Sequence, residues 1–232
     1  EKEIVKEKNE VVEGKIGIII DDFGYRNDEI SDGFLNLNAN LTYAIIPGHT
    51  YSNLFGKKAV ESGYEVIVHM PLENTGKTFG EENFVLLTSM EDKTILERVN
   101  KALDQIPTAI GMNNHQGSKA TSDKRIMNIV GNVLKRHGKY FIDSRTSSET
   151  VAETTMRSRG VPTIRRHVFL DNEDKNNKIR EQLYKLADKA ELKGLAVGIG
   201  HAKTNTLKVL KQEIPRLKEH GFKFQFASFA VE

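Results

Sequence analysis

Polar residues able to do acid–base or metal chemistry recur at a few points of this 232-residue chain, each at the end of a short apolar run. Asp21-Asp22 follows Ile16–Ile20, His69 closes Glu65–Val68, Asn113-Asn114-His115 follows Ala109–Met112, Asp143 closes Tyr140–Ile142, and His201 follows Leu195–Gly200. There is no cysteine, which excludes thiolate metal sites, disulfides and cysteine nucleophiles together. A cation held by Asp oxygens and His nitrogens suits Zn²⁺, Mn²⁺, Fe²⁺, Co²⁺ or Ni²⁺, with zinc first among them. Three protein ligands leave a position open for water, whose pKa such an ion lowers toward ~7 while it polarises a carbonyl oxygen. A neighbouring carboxylate as base and a His as acid complete a hydrolase set.

Successive side chains on a strand point to opposite faces. Asp21 and Asp22 can therefore serve one site only where the strand ends and the backbone turns, as Phe23-Gly24 suggests. One carboxylate can then bind a cation while the other accepts a proton; the competing reading is a turn or helix-cap Asp. The seven histidines divide by position. His137 and His220 close amphipathic segments before a Gly, where an imidazole meets the last helix carbonyls. His49 sits in a Pro-Gly-His turn and His167 starts a strand, and neither is assigned a role. His69, His115 and His201 remain.

The elements that must position these groups are short. Apolar runs at Ile16–Ile20, Leu41–Ile46, Glu65–His69, Ala109–Met112, Lys139–Asp143, His167–Leu170, Leu195–Ile199 and Phe222–Phe226 read as strands buried on both faces. Helical spacing separates several of them. It occurs at Ile95–Ile106, with Ser89 as N-cap, and again at Ile126–Leu134, Ile179–Ala190 and Leu207–Leu217. Alternating strand and helix implies right-handed βαβ units and a parallel sheet, and about eight strands suit a (β/α) barrel better than an open sheet. In either architecture the site forms at the carboxyl ends of the strands.

Lys and Arg number 34 against 32 Asp and Glu, a net charge of +2 scattered in both signs, so no nucleic-acid partner is expected. No apolar run reaches the ~18 residues of a membrane span. Residues 1–14, mostly charged and closed by Gly14, read as a linker or frayed arm, leaving 15–232 as a single domain. The chain starts at Glu1 rather than Met, so an upstream segment is expected to have been removed, and a signal peptide or anchor could have gone with it. The near-neutral balance suits a neutral sugar or a compact groove better than a polyanion.

Over nearly all of 15–232 the chain resembles the divergent polysaccharide deacetylases, relatives of the NodB-like carbohydrate esterases. Six ordered segments carry the resemblance: Ile18-Ile19-Ile20-Asp21-Asp22-Phe23-Gly24, His69-Met70-Pro71-Leu72-Glu73, Asn113-Asn114-His115-Gln116-Gly117-Ser118, Phe141-Ile142-Asp143-Ser144-Arg145-Thr146, Arg166-His167-Val168-Phe169-Leu170-Asp171 and Gly198-Ile199-Gly200-His201. The fold it implies is a distorted (β/α) barrel of about seven parallel strands. The roles it implies are Asp21 as general base, Asp22 and His69 as metal ligands, and His201 as the acid that protonates the leaving amine. The family pairs its first His with a second four residues on, where this chain has Glu73. Either Glu73 or His115 completes the site, and His115 is favoured because Pro71 disrupts the turn that would stack 69 and 73. The family's Arg-x-Pro motif is missing; Asn113–Ser118 occupies that region, and Arg145 beside Asp143 is the candidate compensating charge.

The expected function is a metal-dependent hydrolase, with zinc the favoured ion, that deacetylates an N-acetylated cell-envelope polysaccharide outside the cytoplasm. Asp143, Arg145 and Asn114 are its candidate substrate contacts. The alternative is a non-catalytic envelope barrel that binds glycan or a protein partner, supported by the altered second His and the missing Arg motif.

Overall fold

The computed structural model describes residues 13–77 and 81–231. The expected arm falls almost wholly outside the described residues, although Gly14 already opens the first strand.

The strands are β1 (Gly14–Phe23), β2 (Thr42–Ile45), β3 (Glu65–Leu72), β4 (Gly111–Gln116), β5 (Tyr140–Asp143), β6 (Thr163–Arg165), β7 (Val168–Phe169), β8 (Leu195–His201) and β9 (Phe222–Gln225). Among the described residues seven α-helices accompany them: α1 (Glu29–Phe34), α2 (Ser52–Glu61), α3 (Asp92–Gln105), α4 (Lys124–Arg136), α5 (Ala152–Ser158), α6 (Asn176–Lys193) and α7 (Thr204–Glu219). All strand pairings are parallel, in the order β6-β5-β4-β3-β2-β1-β8-β7, and β9 pairs with the first residues of β1. This is the expected α/β barrel, curled but not closed. The seam lies between β6 and β7, and the chain crosses it within two residues: Arg166 N–H bonds the Asp143 carbonyl at 2.9 Å, and His167 N–H bonds the Val197 carbonyl at 2.8 Å.

Each apolar run of the sequence coincides with a strand, and β2 and β3 are buried along their whole length, as two-faced burial requires. The side chains divide by parity. Ile19, Ala44, Ile67, Ile142, Val197 and Ile199 pack into one small cluster with Ala227 and Ala230, while their neighbours Ile18, Ile20, Val66, Val68 and Phe141 join the larger core beneath the helices. The small cluster fills the barrel interior. Stepping two residues along the same columns leads from Ile19 to Asp21, from Ile67 to His69 and from Ile199 to His201.

The four helices with apolar periodicity are present, but α3 begins after Glu91, which makes no side-chain cap, so Ser89 is not the N-cap. Sequence periodicity did not reveal α1, α2, α5 or β6. α1 and α5 have seven residues or fewer, too short for a 3.6-residue period to repeat, and β6 has three, too short for a strand pattern. At Pro71 the backbone is extended, β3 running through Leu72, so no helical turn stacks 69 and 73.

Candidate functional site

Asp21 and Asp22 share one site because β1 bulges there. Its register with β2 slips between Ile20 and Phe23, and Asp22 takes a left-handed backbone with φ 69°. The extra residue re-aims the second carboxylate toward the side already occupied by Asp21. The turn suggested by Phe23-Gly24 follows directly, with β1 ending at Phe23 and Gly24 at φ 116°, so the bulge inside the strand adds to it.

Register brings the partners alongside. Asp21 pairs with His201 of β8, and on the other side of the barrel His69 of β3 pairs with Asn113 of β4, with His115 two residues further on. His69 Nε2 lies 3.3 Å from Asp22 Oδ1 and 3.5 Å from Asp21 Oδ2, while His115 Nδ1 lies 3.2 Å from Asp22 Oδ1. One ligand atom from each of Asp22, His69 and His115 falls within a 4.8 Å span. Glu73 is engaged elsewhere: its carboxylate accepts from Thr88 N–H at 2.6 Å, from the Thr88 hydroxyl at 2.7 Å and from Lys119 at 2.8 Å.

Asn113 is fully buried and sets the proton positions. Its Nδ2 donates to Asp21 Oδ1 at 2.8 Å, so its Oδ1 accepts, from His69 Nδ1 at 2.7 Å. The proton on His69 is therefore at Nδ1, and the Nε2 lone pair faces Asp22 and His115. His115 Nδ1 donates to that lone pair at 3.1 Å, and His115 Nε2 accepts from Gln116 at 3.1 Å. Asp22 Oδ1 is buried and has no hydrogen-bond partner among the described residues. A buried carboxylate oxygen left bare between two imidazoles, in a donor set of O and N without sulfur, fits a divalent cation. The proton on His115 Nδ1 is the one such an ion would displace.

The electrostatics separate the two acids. Burial is the largest influence on Asp21 and raises its carboxyl above the ordinary range, against the lowering influence of His69, His201 and Asn113. Burial acts the same way on Asp22 but is outweighed by His115 and His69, which hold it far below that range. At His69 burial favours the neutral ring, yet the two carboxylates raise its pKa overall. His201 Nδ1 donates to Asp171 Oδ1 at 2.8 Å, and its Nε2 lies 3.9 Å from Asp22 Oδ2. Asp171, buried after β7, also accepts from His201 N–H and from Thr206 at 2.7 Å each. Burial lowers the His201 pKa, and Asp171 first, then Asp22 and Asp21, outweigh it and leave it raised.

Of the candidate substrate contacts, Arg145 and Asn114 line a cavity of about 320 Å³ beside Asp21, His115 and His201. The Asn114 amide also ties the loops together, accepting from Ser144 N–H and donating to the Gln116 carbonyl at 2.8 Å each. Asp143 is not part of this site. Ile142 points into the barrel, so Asp143 points toward the helices, where it accepts from Arg145 N–H and the Thr150 hydroxyl. A second guanidinium, Arg166, stands near Asp21: burial lowers its own pKa, against the raising influence of Asp21. Asn113, Asp171 and Arg166 join the site without a role assigned from sequence, although all three lie within the segments that carry the resemblance. His220 does meet a helix carbonyl, Arg216 O at 2.7 Å, whereas the His137 ring bonds Asn100 instead. His49 contacts Glu81 at 3.0 Å and Tyr25.

A model of the divergent polysaccharide deacetylases matches residues 18–231. An uncharacterized Escherichia coli K12 protein, YibQ, is 35% identical over 207 residues, covering 89% of this chain and 64% of that protein. The chain thus spans less than two thirds of that relative's length. The crystal structure of an uncharacterized protein from Agrobacterium tumefaciens C58 superposes with a TM-score of 0.89 at 19% identity, covering 94% of this chain and 89% of that one. A family 4 carbohydrate esterase from Streptomyces lividans in complex with acetate gives 0.55 at 13% identity, with 91% of each chain covered. A family 4 pseudoenzyme from Bacillus anthracis gives 0.57 at 15% identity, covering 93% of this chain and 66% of that one. At these identities the three structures share the fold.

Proposed function

The chain belongs to the divergent polysaccharide deacetylases, and from that premise we propose that it is a metal-dependent hydrolase removing acetyl, or another acyl group, from an N-acylated cell-envelope polysaccharide. The observation that carries this reading is the bare Asp22 oxygen between His69 and His115, with a second, unliganded carboxylate, Asp21, 3.5 Å from the same His69 nitrogen. Asp22, His69 and His115 would hold the cation, zinc by preference. When bound, it would lower the pKa of water and polarise the acyl carbonyl.

The remaining roles fall to the chain's own side chains. Asp21, its carboxyl raised by burial, takes a proton from the attacking water, and Asn113 Nδ2 keeps it oriented. His201, its pKa raised and its ring aligned by Asp171, delivers a proton to the amine nitrogen as the C–N bond breaks. Arg145 and Asn114 stand on the cavity wall to meet the sugar. The substrate class puts this work outside the cytoplasm.

One observation favours the other reading, a glycan- or partner-binding barrel without catalysis: Asp21 is oriented by the neutral Asn113, where the family's motif supplies an arginine. The two separate on one preparation, by elemental analysis of bound metal and by acetate release from acetylated chitooligosaccharide and peptidoglycan. The hydrolase reading expects stoichiometric metal, lost in Asp22→Ala and His69→Ala, together with metal-dependent release. A metal-free wild type that binds glycan without releasing acetate would replace it with the binding reading.

A further inference from the structure

The groove does not end at the strand-end residues. The cavity beside Asp21 and His201 shares Arg166, Phe169 and Asn172 with a second cavity of about 440 Å³, at the seam between β6 and β7. His167, Gln182, Lys185 and Lys189 help complete its wall, and no carboxylate lines it among the described residues. Gln182, Lys185 and Lys189 are three and four residues apart on α6, so they share one helix face.

Among the described residues none of these cations has a direct ion pair with a carboxylate of another element, although the Arg166 charge is felt by Asp21 and Asp143. Arg166, half-buried, donates to the Ser144 and Arg145 carbonyls at 2.8 and 3.1 Å and lies 4.8 Å from the centroid of the Phe169 ring. Among the described residues neither Arg166, Arg145 nor Lys189 forms an ion pair. Lys185 pairs only with the exposed Glu181 on its own helix, a contact of little strength. Arg145 holds a left-handed backbone with φ 49° and faces the first cavity. His167 Nδ1 accepts from Val197 N–H at 2.9 Å, so its neutral ring carries the proton on Nε2 as a further donor. Like charges gathered in a partly enclosed space repel one another, and an anion placed among them relieves that repulsion.

We infer that this second cavity binds an anionic substituent, a carboxylate or a phosphate, on the sugar next to the one held at the strand-end site, and that the polysaccharide is therefore an acidic one. Guanidinium groups suit both anions through paired N–H donors. The inference rests on the reading of the site as a glycan deacylase, and it reverses the expectation of a neutral sugar. The net charge of +2 averages over the chain and hides a lopsided rim.

Calorimetric titration of the protein as purified tests it with three probes: neutral tetra-N-acetylchitotetraose, a tetrasaccharide of N-acetylglucosamine and N-acetylmuramic acid as the carboxylate form, and a 6-phosphorylated chitotetraose. At low salt at least one anionic probe should bind about tenfold tighter than the neutral one, and the preference should shrink in about 0.5 M sodium chloride. Which anionic probe wins distinguishes the two sources. Lys189→Glu, with Lys189→Gln as the milder variant should the first misfold, should lower the preference about fivefold or more. Lys57→Glu, exposed on α2 and lining neither cavity, should not. Equal affinity for all probes, no binding of either anion, or a preference indifferent to Lys189 would overturn the inference. An anion-preferring protein that lacks metal and releases no acetate would refute the hydrolase and keep this cavity's role; a metal-dependent deacetylase indifferent to charge would do the reverse.

Discussion

Replacing Asn113 separates the two tasks that one amide performs. Asn113→Ala removes a hydrogen bond to the Asp21 carboxylate and another from His69, both in a fully buried place. A bond to a charged group contributes about 1.5–3 kcal/mol and a neutral one about 1 kcal/mol, so the cation-free protein should lose about 3 kcal/mol of stability. The His69 ring also loses what fixes its proton at Nδ1, and support of that kind is worth about 10–100-fold in metal affinity. Asn113→Asp behaves differently. Its carboxylate still accepts from His69 Nδ1, so metal affinity should stay within about threefold of the wild type. It also places a second carboxylate against the buried Asp21, and the two cannot both ionise readily. Turnover should fall by about 10² or more, the usual contribution of a general base. Zinc affinity measured by competition with a chromophoric chelator, alongside acetate release at saturating metal, distinguishes the variants. If Ala and Asp lower metal affinity equally, the amide does not orient His69 and the assignment of its two ends is wrong.

Four further outcomes follow from the structure. Glu73→Ala should leave zinc affinity within about twofold, because that carboxylate serves Thr88 and Lys119; a loss of about tenfold or more would return Glu73 to the ligand set. Asp171→Asn should move the alkaline limb of the pH–rate profile to lower pH, since Asp171 raises the His201 pKa and the acid must be protonated to act. The same pair has a stability signature. The raised His201 stabilises the fold fully below its ordinary 6.5 and fades as pH rises through the folded value, while the depressed Asp171 does so above 3.8 and fades as pH falls through its own. Denaturant titrations across both windows should show these two slopes in the cation-free wild type and lose them in the variant. Gly14→Ala would set a methyl 2.6 Å from the Ala190 carbonyl carbon and 2.7 Å from its oxygen. Crowding against backbone costs about 2 kcal/mol, a fall of about 4–8 °C in Tm for a chain of this size; an unchanged Tm would mean that the strand does not begin there.

Strand positions were legible because burial on both faces leaves unbroken apolar runs, and the polar residue that ends each run is easy to see. What a run cannot show is which face its last residue takes. Asp143 and Asp21 both follow apolar runs, yet Ile142 takes the inward position on β5, which turns Asp143 toward the helices, whereas Ile19 on β1 leaves the inward position to Asp21. Counting parity back from the interior cluster separates the two, but that cluster is defined only once the strands are paired. The same dependence hides Asn113. An amide beside a His is unremarkable in sequence, and its role follows from the β3–β4 register that sets it opposite His69. Asp22 presents a third case. The chain has no glycine at the bulge to announce a left-handed residue, so the backbone there is held by what surrounds it. A non-glycine residue in that conformation costs of order 1–3 kcal/mol and persists where its surroundings enforce it. The neighbours that could do so are the two imidazoles against Asp22 Oδ1, and they do it most strongly when a cation draws all three together. This step is open to measurement: cation binding should raise the Tm of the wild type far more than that of Asp22→Gly, which adopts the turn without strain and offers no carboxylate.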